Sequence, residues 1–213
     1  MLNKLKHIIP KYAILPLGFA LLFNTCVYEG VSFFRGSLHY SSIETSWDLA
    51  LPFVPPFVLF YILAFAQWAL NYILIARDSK KLCYRFVIGN VISKVFCLAF
   101  FVLMPTTMAR PEVNGSDLFS RLVHLIYASD PPVNLFPSIH CLESWCCIRA
   151  SFLLKHKSIP YRTATVIMSL GVFASTLLIK QHVLVDVFGG IIVFEIGLFL
   201  SGLILRHRIL STQ

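Results

Sequence analysis

Apolar residues fall into six long runs separated by shorter polar connections, at roughly 10–28, 50–76, 86–108, 139–155, 160–180 and 183–205. Each approaches the ~20 residues that a helix needs to cross ~30 Å of hydrocarbon. The pattern therefore predicts an all-α polytopic membrane protein of six transmembrane helices in a bundle. The first run follows Lys4, Lys6 and Lys11, as in a signal peptide, but no convincing small-x-small cleavage site comes after it, so it reads as a retained span. Pro55 and Pro56 predict a kink or re-entrant start in the second run. The fourth is the least apolar and holds Glu143 and Arg149. Neither a repeat nor a second domain is visible, so residues 1–213 read as a single membrane domain.

Composition agrees with the pattern. Of 213 residues, 57% are hydrophobic and 13% charged, with a mean hydropathy of +0.77. A soluble domain needs about 25% charged residues to cover itself, so soluble, disordered and secreted disulfide-scaffold classes are excluded. The net charge of +8 would suggest nucleic-acid binding in a soluble chain. In a membrane protein it is what cytoplasmic loops carry. With the N-terminus inside, Lys4, Lys6, Lys11, Arg77, Lys80, Lys81, Arg85, Lys155, Lys157, Arg162, Arg206 and Arg208 lie on the cytoplasmic side. Only Arg35, Arg110, Arg121 and Lys180 lie opposite, a bias of 12 to 4. Six spans in a cell membrane with both termini cytoplasmic follow; Lys94 and Arg149 are left at membrane depth. Six cysteines without a CxxC pair read as small buried hydrophobes.

The candidate chemistry sits at span ends on the outer face. Segment 109–138 is the longest polar connection, and loops of that length are usually functional or disordered. Arg110-Pro111 follows the third span, Pro137-Ser138-Ile139-His140 opens the fourth, and Ser175 to Asp186 bridges the fifth and sixth. Ionisable groups near a bilayer are costly and hence functional candidates. His182 and Asp186 are four residues apart, on one helical face, so the carboxylate can hold one ring nitrogen and leave the other as a nucleophile. Ser138 reads as an N-cap, and a helix N-terminus binds anions. His140 would reach the same spot as a general acid, and Arg110 offers a fork for phosphoryl oxygens. Taken singly, each histidine or the arginine serves as well as an interfacial anchor, and Asp186 could mark a proton path. Their convergence favours a phosphate-handling site.

The set Arg110-Pro111, Pro137-Ser138-x-His140 and Ser175-x6-His182-x3-Asp186 resembles the tripartite signature of the type 2 phosphatidic acid phosphatase superfamily, K-x6-R-P, P-S-G-H and S-R-x5-H-x3-D. The resemblance spans roughly residues 86–205, the expected catalytic core. It implies a six-span membrane fold with its site at the extracytoplasmic helix ends, acting on a lipid phosphate or diphosphate. His182 would form a phosphohistidine, oriented by Asp186; His140 would protonate the leaving group; Arg110 and Ser138 would hold phosphoryl oxygens. It implies no metal, no cofactor and no nucleic-acid partner.

The chain departs from that signature at three positions. Leu103 stands where the first motif has Lys, Thr176 where the third has Arg, and Ile139 where the second has Gly. Two phosphate-binding cations are thus missing, and Lys180 is the expected substitute, provided the helix breaks near Gln181. The KQHxxxD form is similar to a branch including inositol phosphorylceramide and sphingomyelin synthase-like proteins, which pass a phospho-headgroup to a lipid alcohol. A catalytically silent protein of the same fold remains as a third reading.

Overall fold

The computed structural model describes residues 8–33, 36, 38–155 and 157–210. Lys4, Lys6, Arg35 and the side chain of Arg208, all part of the charge count, lie outside what is described. Among the described residues the fold is all-α apart from one pair of two-residue parallel strands, β1 (Ser41–Ser42) and β2 (Thr106–Thr107). In chain order the helices are α1 (Lys11–Phe33), α2 (Ser46–Ala50), α3 (Val58–Asp78), α4 (Lys80–Leu103), α5 (Leu118–Ser129), α6 (Ile139–Leu153), α7 (Ile159–Leu178) and α8 (Leu184–Leu210).

Five of these helices, α1, α3, α4, α7 and α8, are long and apolar enough to cross a membrane. Their outward faces carry large apolar side chains such as Leu15, Leu21, Phe188 and Phe199, all well exposed, as lipid-facing surfaces do. The expected fourth span is the exception. A helix does form there, but α6 has only 15 residues, about 22 Å at 1.5 Å per residue. It is polar because it is internal: Glu143, Ser144 and Ser151 are buried, and the helix packs against α3, α7 and α8.

Pro55 and Pro56 do not kink a helix. They form a single 3₁₀ turn that leads into α3, where missing N–H groups cost nothing. The 109–138 connection is not simply a loop. Asp117 caps α5 by accepting from the Phe119 and Ser120 N–H groups, and the helix lays Val123 into a small core with Val58, Tyr61 and Ile179.

Small residues let the central helices touch. A Cβ on Gly197 would meet Ser93 Oγ at 2.2 Å and Gly89 O at 2.4 Å, so α4 and α8 cross backbone to backbone. Ser93 uses that proximity to donate to Gly89 O and Val193 O. A Cβ on Gly190 would meet Ser138 O at 2.5 Å. Glycine there lets the start of α6 dock on the first turns of α8, where Ser138 N donates to Asp186 O at 3.1 Å.

The bundle has two distinct ends. Tyr12 OH donates to Ala76 O and Lys155 N to Asp78 Oδ1, so the start of α1, the α3–α4 turn and the α6–α7 turn meet. Lys11, Arg77, Lys80 and Lys155 belong to these segments. The α7–α8 turn and the start of α6 lie at the other end, with segment 109–138.

Candidate active site

His182 belongs to the α7–α8 connection and Asp186 to the first turn of α8. Helix α7 stops at Leu178 because Lys180 takes a left-handed conformation, φ 51°, which lets the Gln181 and His182 N–H groups both donate to Thr176 O at 2.9 Å. His182 then hangs just before α8. Its Nδ1 lies 3.2 Å from Asp186 Oδ2, which also accepts from Val183 N at 3.0 Å. Asp186 is fully buried. The carboxylate thus fixes the Nδ1–H tautomer and leaves Nε2 for the cavity that His182 lines.

His140, the second residue of α6, lines the same cavity, with its ring centroid 6.1 Å from that of His182. Tyr61 stacks on it at 4.1 Å and brings its hydroxyl 3.5 Å from Nδ1. Among the described residues Nε2 has no hydrogen-bond partner. Two imidazoles therefore face one cavity of about 330 Å³, each with one nitrogen engaged.

The other expected residues stand behind this pair. Ser138 is fully buried and caps α6, its Oγ accepting from Cys141 N at 3.2 Å; the Ile139 and His140 N–H groups remain without an intrahelical acceptor. Arg110 spreads its fork over protein groups, Nη1 to Asp130 O at 2.6 Å and Nη2 to Gln181 Oε1 at 2.5 Å. It stacks over Tyr127 at 4.5 Å, whose phenol burial pushes up to about 12. Arg110 thus touches two cavity-lining residues without lining the cavity itself.

Lys180 is not brought to the site. The helix break it needs is present, but the turn sends its ammonium to Asp48 O and Leu51 O, each at 2.8 Å. The neighbouring Asp48 carboxylate accepts from Leu184 N at 2.7 Å. Lys180 and Asp48 together clamp the turn that carries His182. Burial alone would raise the Asp48 pKa, but hydrogen bonds from Thr45 and Leu184 and the Lys180 charge outweigh it and hold the group below its usual value. The clamp is therefore intact above the carboxylate range and loosens as pH falls through the depressed pKa. Lys180→Met is expected to lower the thermal midpoint and reduce turnover less than tenfold, both measured on detergent-purified protein. A 10²–10³ loss with an unchanged midpoint would instead give its charge a catalytic role.

The two motif positions that lack a cation face elsewhere. Leu103 is 77% exposed at the end of α4, and Thr176 is fully buried beside Cys141. Lys94, also fully buried, is paired with Glu143 at 2.9 Å. Among the described residues no group of three or more His, Cys, Asp or Glu side chains is placed to hold a metal ion.

Sequence reasoning missed a second tier of residues. Asp130 accepts from Tyr61 OH at 2.9 Å and from Tyr28 OH, joining α1, α3 and the end of α5 beside His140. Gln181 links Arg110 to the cavity. Asn134, also left-handed at φ 56°, is buried with both side-chain amide atoms unpartnered. Of these only Gln181 lies within a motif, where it was read for the helix break and not for a contact, and α1, outside the expected core, lines the cavity through Asn24, Thr25, Tyr28 and Glu29. The only sequence signal was polar residues ending an apolar run.

No family model, curated protein or solved structure matches the chain.

Proposed function

We propose that the chain is a membrane-embedded phosphoesterase of the type 2 phosphatidic acid phosphatase kind, cleaving a lipid phosphate or diphosphate through a phosphohistidine at His182 without a metal. One observation carries this reading: an aspartate-held histidine and a second histidine face each other at 6.1 Å across a cavity. His182 Nε2 attacks phosphorus, and the bond to the lipid oxygen breaks as that oxygen takes a proton from protonated His140. Neutral His140 then accepts a proton from the incoming acceptor, whose oxygen displaces His182. The first-turn N–H groups of α6 stabilise the developing charge, and Arg110 supports the site from behind through Asp130 and Gln181. Support comes from the meeting of the three motif segments, far apart in sequence: Arg110 bonds Gln181 beside His182, and His140 and His182 line one cavity.

In the same reading α6 completes six spans, both termini are cytoplasmic and the site lies at the extracytoplasmic end. The basic segments gathered at the opposite end of the bundle support that orientation. In a Cys26→Ser background, which removes the exposed thiol, Ser116→Cys should react with an impermeant thiol reagent from outside and Ser79→Cys should not. The inverse pattern would put the site in the cytoplasm.

Acceptor identity divides phosphatase from phosphotransferase, since both share the first half-reaction. Detergent-purified protein should be given a panel of lipid phosphates with EDTA present, with and without a lipid alcohol. Free phosphate or free phospho-headgroup marks the hydrolase; headgroup found only on the added alcohol marks the transferase. Absence of both on every lipid would contradict the phosphoesterase reading.

A further inference from the structure

The walls of the cavity do not suit a bare phosphate. Among the described residues no Lys or Arg lines it, while two carboxylates do, Glu29 at the exposed mouth and Asp130 within. Arg110, touching Asp130 and Gln181 from behind, offsets about one of these charges. With His140 protonated, as the transfer step requires, the surroundings carry no surplus positive charge for a dianion. A phosphomonoester carries about 1.5 to 2 negative charges at pH 7, so Glu29 would repel it. Aromatic rings of Tyr28, Tyr61, Phe65 and Trp68 line the same wall, and carboxylate plus aromatic faces is what attracts an ammonium group.

Two further features point to an occupant. Asn134 is 3% exposed and Gln181 1%; the Asn134 amide and Gln181 Nε2 line the cavity with no protein partner. They are neutral donors, suited to the oxygens of a monoanion. A second cavity of about 360 Å³ runs between α1 and α3 and is mostly apolar. It shares Asn24, Phe65, Trp68 and Ile139 with the first, so a headgroup at the histidines would continue directly into an apolar channel.

We propose that the substrate is a zwitterionic phosphodiester lipid, its phosphate between His140 and His182, its ammonium against Glu29 and the aromatic wall, and its chain in the groove between α1 and α3. This deepens the phosphoesterase reading and rests on it. The diester carries one negative charge, which protonated His140 can match, and its cation meets the acidic mouth.

The test uses the full chain in detergent with four dioctanoyl lipids of identical tails: phosphatidylcholine, phosphatidylethanolamine, phosphatidylglycerol and phosphatidic acid. Attack by His182 releases diacylglycerol from all four, so one product reads every arm. The two zwitterions should exceed the two anionic lipids at least tenfold in kcat/KM. Water-soluble glycerophosphocholine, which lacks the chains, should be cleaved at least tenfold less efficiently than phosphatidylcholine. Glu29→Gln should cut the ratio of zwitterion to anion about tenfold, and Glu29→Lys should invert it. Glu29 is exposed on α1, so both variants should fold. Phosphatidic acid or phosphatidylglycerol equal to or above the zwitterions, or a ratio indifferent to both Glu29 variants, overturns the headgroup assignment; glycerophosphocholine cleaved as well as the lipid overturns the groove. Anion-preferring turnover that still needs His182 would leave the phosphoesterase reading standing, whereas turnover of every lipid undiminished in His182→Ala would remove that reading itself.

Discussion

His182→Ala is expected to abolish turnover, by at least about 10⁴-fold, because removing a nucleophile leaves only binding and electrostatic contributions. Asp186→Asn should lose about 10²–10⁴-fold, as in other carboxylate-oriented histidines, since a neutral amide cannot stabilise the positive charge that develops on the imidazole. Both variants should keep their elution profile and thermal midpoint close to the parent's. Asp186 Oδ2 also accepts from Val183 N at 3.0 Å, and asparagine can retain that acceptor. The measurement is kcat on the best lipid of the panel, with folding checked in parallel. A well-folded His182→Ala protein with near-normal turnover would end the nucleophile assignment.

The largest stability effect should come from the buried pair below the site. Lys94 and Glu143 are 2.9 Å apart, and Glu143 also accepts from Asn90 Nδ2 at 2.7 Å and Tyr72 OH at 3.0 Å. Glu143→Ala would leave an ammonium without a counterion among apolar helices, at a cost of roughly 3–5 kcal/mol. The double variant Lys94→Met/Glu143→Leu removes both charges and fills the space, and should recover most of the loss. Thermal unfolding in one detergent compares the three proteins. A single variant as stable as the parent would show that Lys94 finds another way to solvate its charge.

Sequence patterning revealed what is local and hid what is tertiary. The His182–Asp186 pair was legible from its four-residue spacing, although His182 stands just before α8 and reaches Asp186 from outside the helix, and the Ser138 cap because serine before an apolar run is a helix-start signal. The capped helix α5 carried comparable signals, Asp117 followed by Phe119, Leu122, Val123 and Ile126, but these were masked by flanking Pro, Gly and Asn. Lys180 shows the limit. Spacing could say that the helix must break there, but not where a four-carbon stem would turn afterwards, and Asp48 lies 132 residues away. Distance in sequence likewise hid Tyr28 and Tyr61, 102 and 69 residues from Asp130. Each is ordinary in its own segment and informative only once three helices bring them to one carboxylate. The α6 helix was legible as a helix but not as a short internal one, because hydropathy does not distinguish a polar lining from a polar surface.

The central claim is that phosphorus becomes bonded to His182. Rapid quenching during turnover at alkaline pH, where phosphohistidine survives, followed by peptide mass spectrometry, reads that bond directly. The account predicts substrate-derived phosphorus on His182, absent from His182→Ala and present in Asp186→Asn at a reduced level. Turnover with no covalent adduct, or an adduct on any other side chain, would contradict it.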